Sequence, residues 1–252
     1  MKRLFAIILL TVTILNIYAQ PDSVYKIIQK ANNYYKHTDY DSAIVLYKSV
    51  LKMGWESPYL YYNLANAYFR KGNLAKAIVN YERAYRRKPG DENIRHNLAF
   101  ARQYVQDKFT EVHEFFLRRW WRALALSMCA DSWAYLSVAL FVITLVLALV
   151  FLFSKKILYR KLGFYIGLLT FILSILTLDL SLVNKHYVLN SGEAIVLRPT
   201  SVHSSPSNQG TELYILHQGV KVKILSKSDG WYEIKLPNGT IGWMPKNSLE
   251  KI

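Results

Sequence analysis

The chain has 252 residues, 52% hydrophobic and 19% charged, with 32 Lys and Arg against 17 Asp and Glu. It is too apolar for a disordered polymer, and its composition points to membrane segments beside one or two modest domains. The net charge of +15 does not gather on one soluble stretch, so no nucleic-acid partner is expected, and a lone cysteine, Cys129, excludes an intramolecular disulfide and a zinc site of paired cysteines.

At the N-terminus Lys2 and Arg3 precede an apolar run from Leu4 to Ile17, followed by the small Ala19. This is the layout of a secretory signal peptide over 1–19. It is cleaved after Ala19 or, because Ile17 is large for its place, kept as an uncleaved anchor. Either way the following residues are sent across the membrane.

Residues 22–109 repeat with a period of 34. Ala31 and Ala65, Tyr34 and Tyr68, Ala43 and Ala77, Tyr47 and Tyr81 are each 34 apart, and Leu64 and Ala65 recur as Leu98 and Ala99. The pattern resembles the tetratricopeptide repeat (TPR). Pro58–Asp91 supplies Tyr61, Leu64, Ala65, Tyr68, Gly72, Ala77, Tyr81, Ala84 and Pro89. Val24–Ser57 supplies Ala31, Tyr34, Ala43, Tyr47 and Val50, with Trp55 where Pro is expected. A third unit from Glu92 has Arg102 in place of the tyrosine and reads as a degenerate repeat or capping helix. The resemblance implies helix pairs that stack, with Ala77 at a helix contact and Asn80 on an exposed face. It also implies a partner-binding groove lined by Tyr25, Ile28, Asn32, Tyr35, Tyr59, Tyr62, Asn66 and Phe69. The clamp for a terminal carboxylate found in some such proteins is incomplete: Asn32 and Asn63 fit, but Ile28, Asn93 and Asn97 stand at its basic positions.

The segment 110–132 carries Trp120, Trp121 and an arginine cluster at 118, 119 and 122. It reads either as an amphipathic helix lying on a membrane or as a continuation of the preceding helix into a span. Residues 133–153 are uncharged, and a helix of that length is about 32 Å long, enough to cross the hydrocarbon core. A second apolar run, 162–183, has one acid, Asp179, within reach of its outer end. Between them, residues 154–161 carry Lys155, Lys156, Arg160 and Lys161 and no acid, the composition of a cytoplasmic loop. The resulting topology puts 20–131 and 184–252 outside the cytoplasm.

From 191 to 252 the chain changes to short alternating runs separated by turn formers at 204–207, 228–230 and 237–239. The order of Arg198-Pro199, Leu216-x-x-Gly219, Gly230-Trp231-Tyr232 and Gly239-x-x-Gly242-Trp243 resembles a bacterial SH3 domain. That resemblance implies an SH3-like barrel in which Trp231, Tyr232 and Trp243 serve surface or packing roles, and binding to cell-wall peptide.

The fold class expected is thus a multidomain membrane protein: an all-α TPR region, two transmembrane helices and a C-terminal all-β SH3-like barrel. This arrangement resembles the BatE-like TPR proteins of the bacterial aerotolerance (Bat) operon group. The resemblance implies an inner-membrane scaffold with both modules on the periplasmic side. Its implied partners are other envelope proteins, including those with von Willebrand A domains, in aerotolerance or envelope stress. The alternative is a cell-wall-binding accessory protein that acts on peptidoglycan through the SH3-like module, and membrane lipid is expected around the apolar segments in either case. No enzyme motif is found. His37, His96, His113, His186, His203 and His217 are scattered without metal-ligand spacing, and no cofactor is implied.

Overall fold

A computed structural model describes residues 22–110, 115–190 and 192–252; the expected signal peptide at 1–19 lies outside them. The chain divides into two units, Met1–Trp55 and Glu56–Ile252.

In the first unit, α1 (Asp22–Lys36) and α2 (Tyr40–Lys52) form an antiparallel pair. Ala31 and Ala43 are fully buried where the two helices touch, with Val24, Ile44, Tyr47 and Val50 around them. Small residues let the backbones approach, and Tyr47 fills the space beside them, donating its hydroxyl to Asn32 Oδ1 at 2.6 Å. The turn puts Thr38 at φ 62°, a conformation that costs a β-branched residue dearly. Asp39 then caps α2 by accepting from the Ser42 amide at 3.1 Å.

The second unit opens by rebuilding that device 34 residues on. In α3 (Pro58–Arg70) and α4 (Leu74–Arg87), the position of Thr38 is taken by Gly72 at φ 83°, and that of Asp39 by Asn73, which caps the Lys76 amide at 3.1 Å. Tyr81 donates to Asn66 Oδ1 at 2.5 Å, the counterpart of Tyr47 and Asn32. Ser57 caps α3, and Asp91 caps α5 (Glu92–Gln103). Ala65 is fully buried, whereas its sequence equivalent Ala99 is exposed. The described chain holds no second helix of a third repeat to cover that face.

After α6 (Phe116–Ala125) come two long apolar helices, α7 (Ala130–Phe153) and α8 (Ile157–Asn190), both long and apolar enough to cross a membrane. α8 begins inside the basic stretch and runs seven residues past 183, so the connection between the two is only Ser154–Lys156. They pack antiparallel along a seam on α8 of Gly163, Gly167, Thr170, Ser174, Thr177 and Ser181, spaced four and three apart in alternation. A Cβ at Gly163 would stand 2.9 Å from the Leu147 carbonyl oxygen, so the glycine permits the close approach. Ser137 and Ser174 each donate to the other's backbone carbonyl at 2.9 and 3.1 Å, and the hydroxyls of Thr144 and Thr170 meet at 2.8 Å. Small and hydroxyl residues are what pack helices where lipid removes the usual hydrophobic drive.

The C-terminal part is a seven-stranded antiparallel sheet in the order β3-β2-β6-β5-β4-β1-β7. Its strands are β1 (Glu193–Val196), β2 (Thr200–His203), β3 (Glu212–Leu216), β4 (Lys221–Ser228), β5 (Trp231–Lys235), β6 (Ile241–Pro245) and β7 (Leu249–Lys251). Asp229 and Gly230, both at positive φ, form the two-residue turn between the paired Ser228 and Trp231. Val196, Val202, Leu216, Val222, Ile234 and Met244 are among the residues that fill its core.

Candidate interaction surfaces

The residues expected to line a groove do not share one environment. In the first unit Tyr25 is exposed, Tyr35 packs its ring at 5.5 Å from Tyr40, and Asn32 is engaged by Tyr47. In the second, Tyr59 is exposed under the Lys88 ammonium, 4.5 Å from the ring centroid. Tyr62 and Asn66 both accept from the Asn97 amide of α5, at 2.9 and 3.2 Å. Phe69 packs at 5.8 and 5.7 Å against Phe100 and Tyr104. Tyr62, Asn66 and Phe69 therefore hold α5 onto α3 and are not bystanders of the fold. What α3 and α5 leave outward is the aromatic trio of Phe69, Phe100 and Tyr104, with Phe100 41% and Tyr104 59% exposed. Phe100 and Tyr104 were missed because they follow the point where the repeat pattern decays. Their spacing of four, from the last turn of α5 to its C-cap, was the available signal.

On the barrel, Tyr232 is buried at 6% exposure and belongs to the core. Trp231 and Trp243 are half-buried on the outer face, since alternate residues of β5 and β6 point opposite ways. The His203 ring stands edge-on to Trp231 at 5.3 Å, and His203 pairs directly across from Trp243.

A third feature lies inside the second unit. β1 is buried on both faces: Ala194 and Val196 enter the barrel, while Ile195 enters the cluster of Ala65, Ala77, Ile78 and Leu98 in the repeat. Gly219, at φ 92°, permits this approach, because a Cβ there would stand 2.9 Å from Val105 and 3.1 Å from Ile78. Around the apolar contact runs an ion network. Glu82, 1% exposed, bonds Arg102 and lies 3.3 Å from Lys221, and Lys221 lies 2.8 Å from Glu193. Arg86, also 1% exposed, reaches Glu193 at 2.5 Å, donates to the Ile252 carbonyl and lies over the Tyr187 ring of α8. Arg83 and Lys76 bind Glu250, and the Asp107 carboxylate takes the His217 amide at 2.6 Å. Burial alone would raise the Glu82 carboxyl, but Lys221, Arg102 and Arg86 outweigh it and lower its pKa to about 2. Burial likewise opposes the charge on Lys221, yet Glu82 and Glu193 raise its pKa.

This junction corrects one expectation. Asn80 is not on a free face: it is buried at 3% exposure, with its amide donating to the Lys76 carbonyl. The repeat pattern assigns that face of α4 to solvent, and it carries no information about a barrel arriving from more than a hundred residues away. One signal was present: the unbroken apolar run from Ala194 to Leu197, which lacks the alternation of a strand with one wet face.

Among the described residues no group of three or more His, Cys, Asp or Glu is placed to hold a metal ion. Against family models, residues 28–92 match the tetratricopeptide repeat and residues 199–250 match the bacterial SH3 domain. Among curated proteins no match is found. Fold and matches together define a class: a chain that joins two modules of the protein-interaction or cell-wall-binding kind to a pair of apolar helices.

Proposed function

We propose that this protein is a membrane-anchored envelope scaffold without catalytic activity, which recruits protein partners through its repeat region in a Bat-type aerotolerance or envelope-stress complex. The observation that carries the reading is the body at the end of α8. The second repeat, the barrel and the last turns of α8 pack together through the Glu82–Lys221–Glu193–Arg86 network, and aromatics face outward from it. α7 and α8 leave large side chains such as Leu145, Phe153 and Leu169 uncovered, an apolar surface that soluble proteins rarely show. Because the repeat and the barrel touch, they belong on one side of any membrane crossed by the helix pair. The short basic connection Ser154–Lys156 and the adjoining Arg160 and Lys161 favour the cytoplasm for the other end.

Replacing Phe100 and Tyr104 together with Ala, in the full chain, tests the reading. Losing an aromatic anchor commonly costs about 2 kcal/mol, roughly thirtyfold in affinity. The double variant should lose its co-purifying envelope proteins while keeping helix content and membrane insertion.

A second reading, cell-wall binding through the barrel, is favoured by the Trp231–His203–Trp243 face. It predicts that Trp231→Ala with Trp243→Ala abolishes co-sedimentation with isolated peptidoglycan and that the helical double variant does not.

A further inference from the structure

α6 carries more apolar surface than its own chain covers. At about 100° per residue, its apolar positions sweep from Ala123 through Phe116, Trp120, Leu124, Leu117 and Trp121 to Ala125, an arc of about 200°, with Arg119 and Arg122 on the other side. Part of that arc is covered: Trp121, Leu124 and Ala125 pack against Trp133 of α7 and Leu180 and Val183 of α8. The rest is bare. Phe116 and Trp120 are each 62% exposed and Leu117 is 53% exposed, with Arg119 exposed beside them.

The position of α6 along the helix pair is fixed. Asn184, the residue after the apolar run 162–183, donates to the carbonyls of Ala125 and Met128 at 2.9 Å. Trp133 Nε1 donates to Ala125 at 3.1 Å, and Ser181 donates to the Ala130 carbonyl at 2.8 Å. α6 is thus tied to the level at which α8 stops being apolar. The helix also ends at Ala125, with four residues between it and the start of α7, so it does not continue into the span.

We propose that α6 lies in the headgroup layer of the bilayer, with Phe116, Leu117 and Trp120 among the upper acyl chains and Arg119 at the lipid phosphates. The proposal rests on the reading that α7 and α8 span a membrane. The occupant is lipid because α6 packs through Trp121, Leu124 and Ala125 onto two helices whose own large apolar side chains are uncovered, and its bare residues are bordered by cationic and indole side chains, the pairing that suits the interface. In this arrangement α6 sets the plane of the membrane, and the last turns of α8 carry the packed body above it.

The test uses the full chain with Cys129→Ser in phosphatidylcholine–phosphatidylglycerol nanodiscs. One nitroxide is placed at Phe116→Cys, at Leu145→Cys or at Lys227→Cys, and collision with oxygen is compared with collision with a water-soluble nickel chelate. Site 116 should give a depth of about 5–10 Å below the phosphates, between the deep site 145 and the aqueous site 227. If 116 is as open to nickel as 227 while 145 is protected, α6 is not in the bilayer and the proposal fails although the spans stand. If 145 is also open to nickel, the membrane reading itself fails. Spin–spin broadening at 116 that vanishes at one copy per disc would assign the bare arc to a second copy and overturn the proposal.

Discussion

Glu82 is a buried carboxylate at the junction between repeat and barrel, bonded to Arg102 and 3.3 Å from Lys221. Glu82→Gln keeps the shape and removes a negative charge among Lys221, Arg102 and Arg86. Breaking a buried ion network from one side costs about 3–5 kcal/mol, because the partners stay behind uncompensated. Here the lower end applies, about 3 kcal/mol, since Lys221 keeps Glu193 at 2.8 Å and the Arg102 side chain is 49% exposed. The junction should then open about 150-fold more often. Hydrogen exchange followed by mass spectrometry reads this as faster exchange of α4 and β1 amides, with Glu92→Gln, whose side chain is 89% exposed, as the control. The pH dependence has a definite sign. The carboxyl is lowered from 4.5 to about 2 on folding. Its contribution is therefore fully present above about pH 4.5 and is lost as the pH falls towards 2. The ratio of variant to parent exchange should shrink over that window. Equal exchange in the two variants at pH 7, or a ratio that does not change with acid, would refute this account of the network.

Four further outcomes follow from particular contacts. Thr38→Gly should stabilise the first helix pair by about 1 kcal/mol, because Thr38 holds φ 62° where the sister repeat has Gly72; no rise in its melting temperature would contradict the strain. Ala77→Leu should cost about 1–3 kcal/mol by overpacking, whereas Ala99→Leu on the uncovered face of α5 should change stability by less than about 0.5 kcal/mol, both read by urea unfolding of the second unit. Gly163→Leu should separate α7 from α8, seen as loss of a disulfide engineered between Ser137→Cys and Ser174→Cys. With Cys129→Ser, a cysteine at Ser207 should react with an impermeant thiol reagent in spheroplasts, and one at Ser154 only after lysis.

The helix pairs were legible because their spacing encodes geometry. The period of 34 puts Tyr47 on Asn32 and Tyr81 on Asn66 by the same hydrogen bond. The barrel was legible through its turns, where Asp229-Gly230 leaves little conformational choice. The surfaces were less so. A repeat register says which way a side chain points but not what arrives there, and so it exposes Tyr62 and Phe69, which α5 half covers, and Asn80, which is buried between Lys76 and Arg83 where those two reach β7. The ion network was invisible for the same reason: Glu82 and Glu193 are far apart in sequence, and each alone reads as a solvated charge. The seam on α8 was not read from the sequence, where 162–183 registers as an apolar run, although its alternating spacing of four and three is present there.

The central claim is that the repeat region recruits protein partners from a membrane-held body. Photo-crosslinking in growing cells tests it most directly, with benzoylphenylalanine at Tyr104, at Trp243 or, as control, at Glu92. The account predicts discrete protein adducts from Tyr104 in the membrane fraction, lost on Phe100→Ala, and none from Glu92. Adducts only from Trp243, carried on glycan strands and released by a muramidase, would contradict it and make the barrel the recognition element.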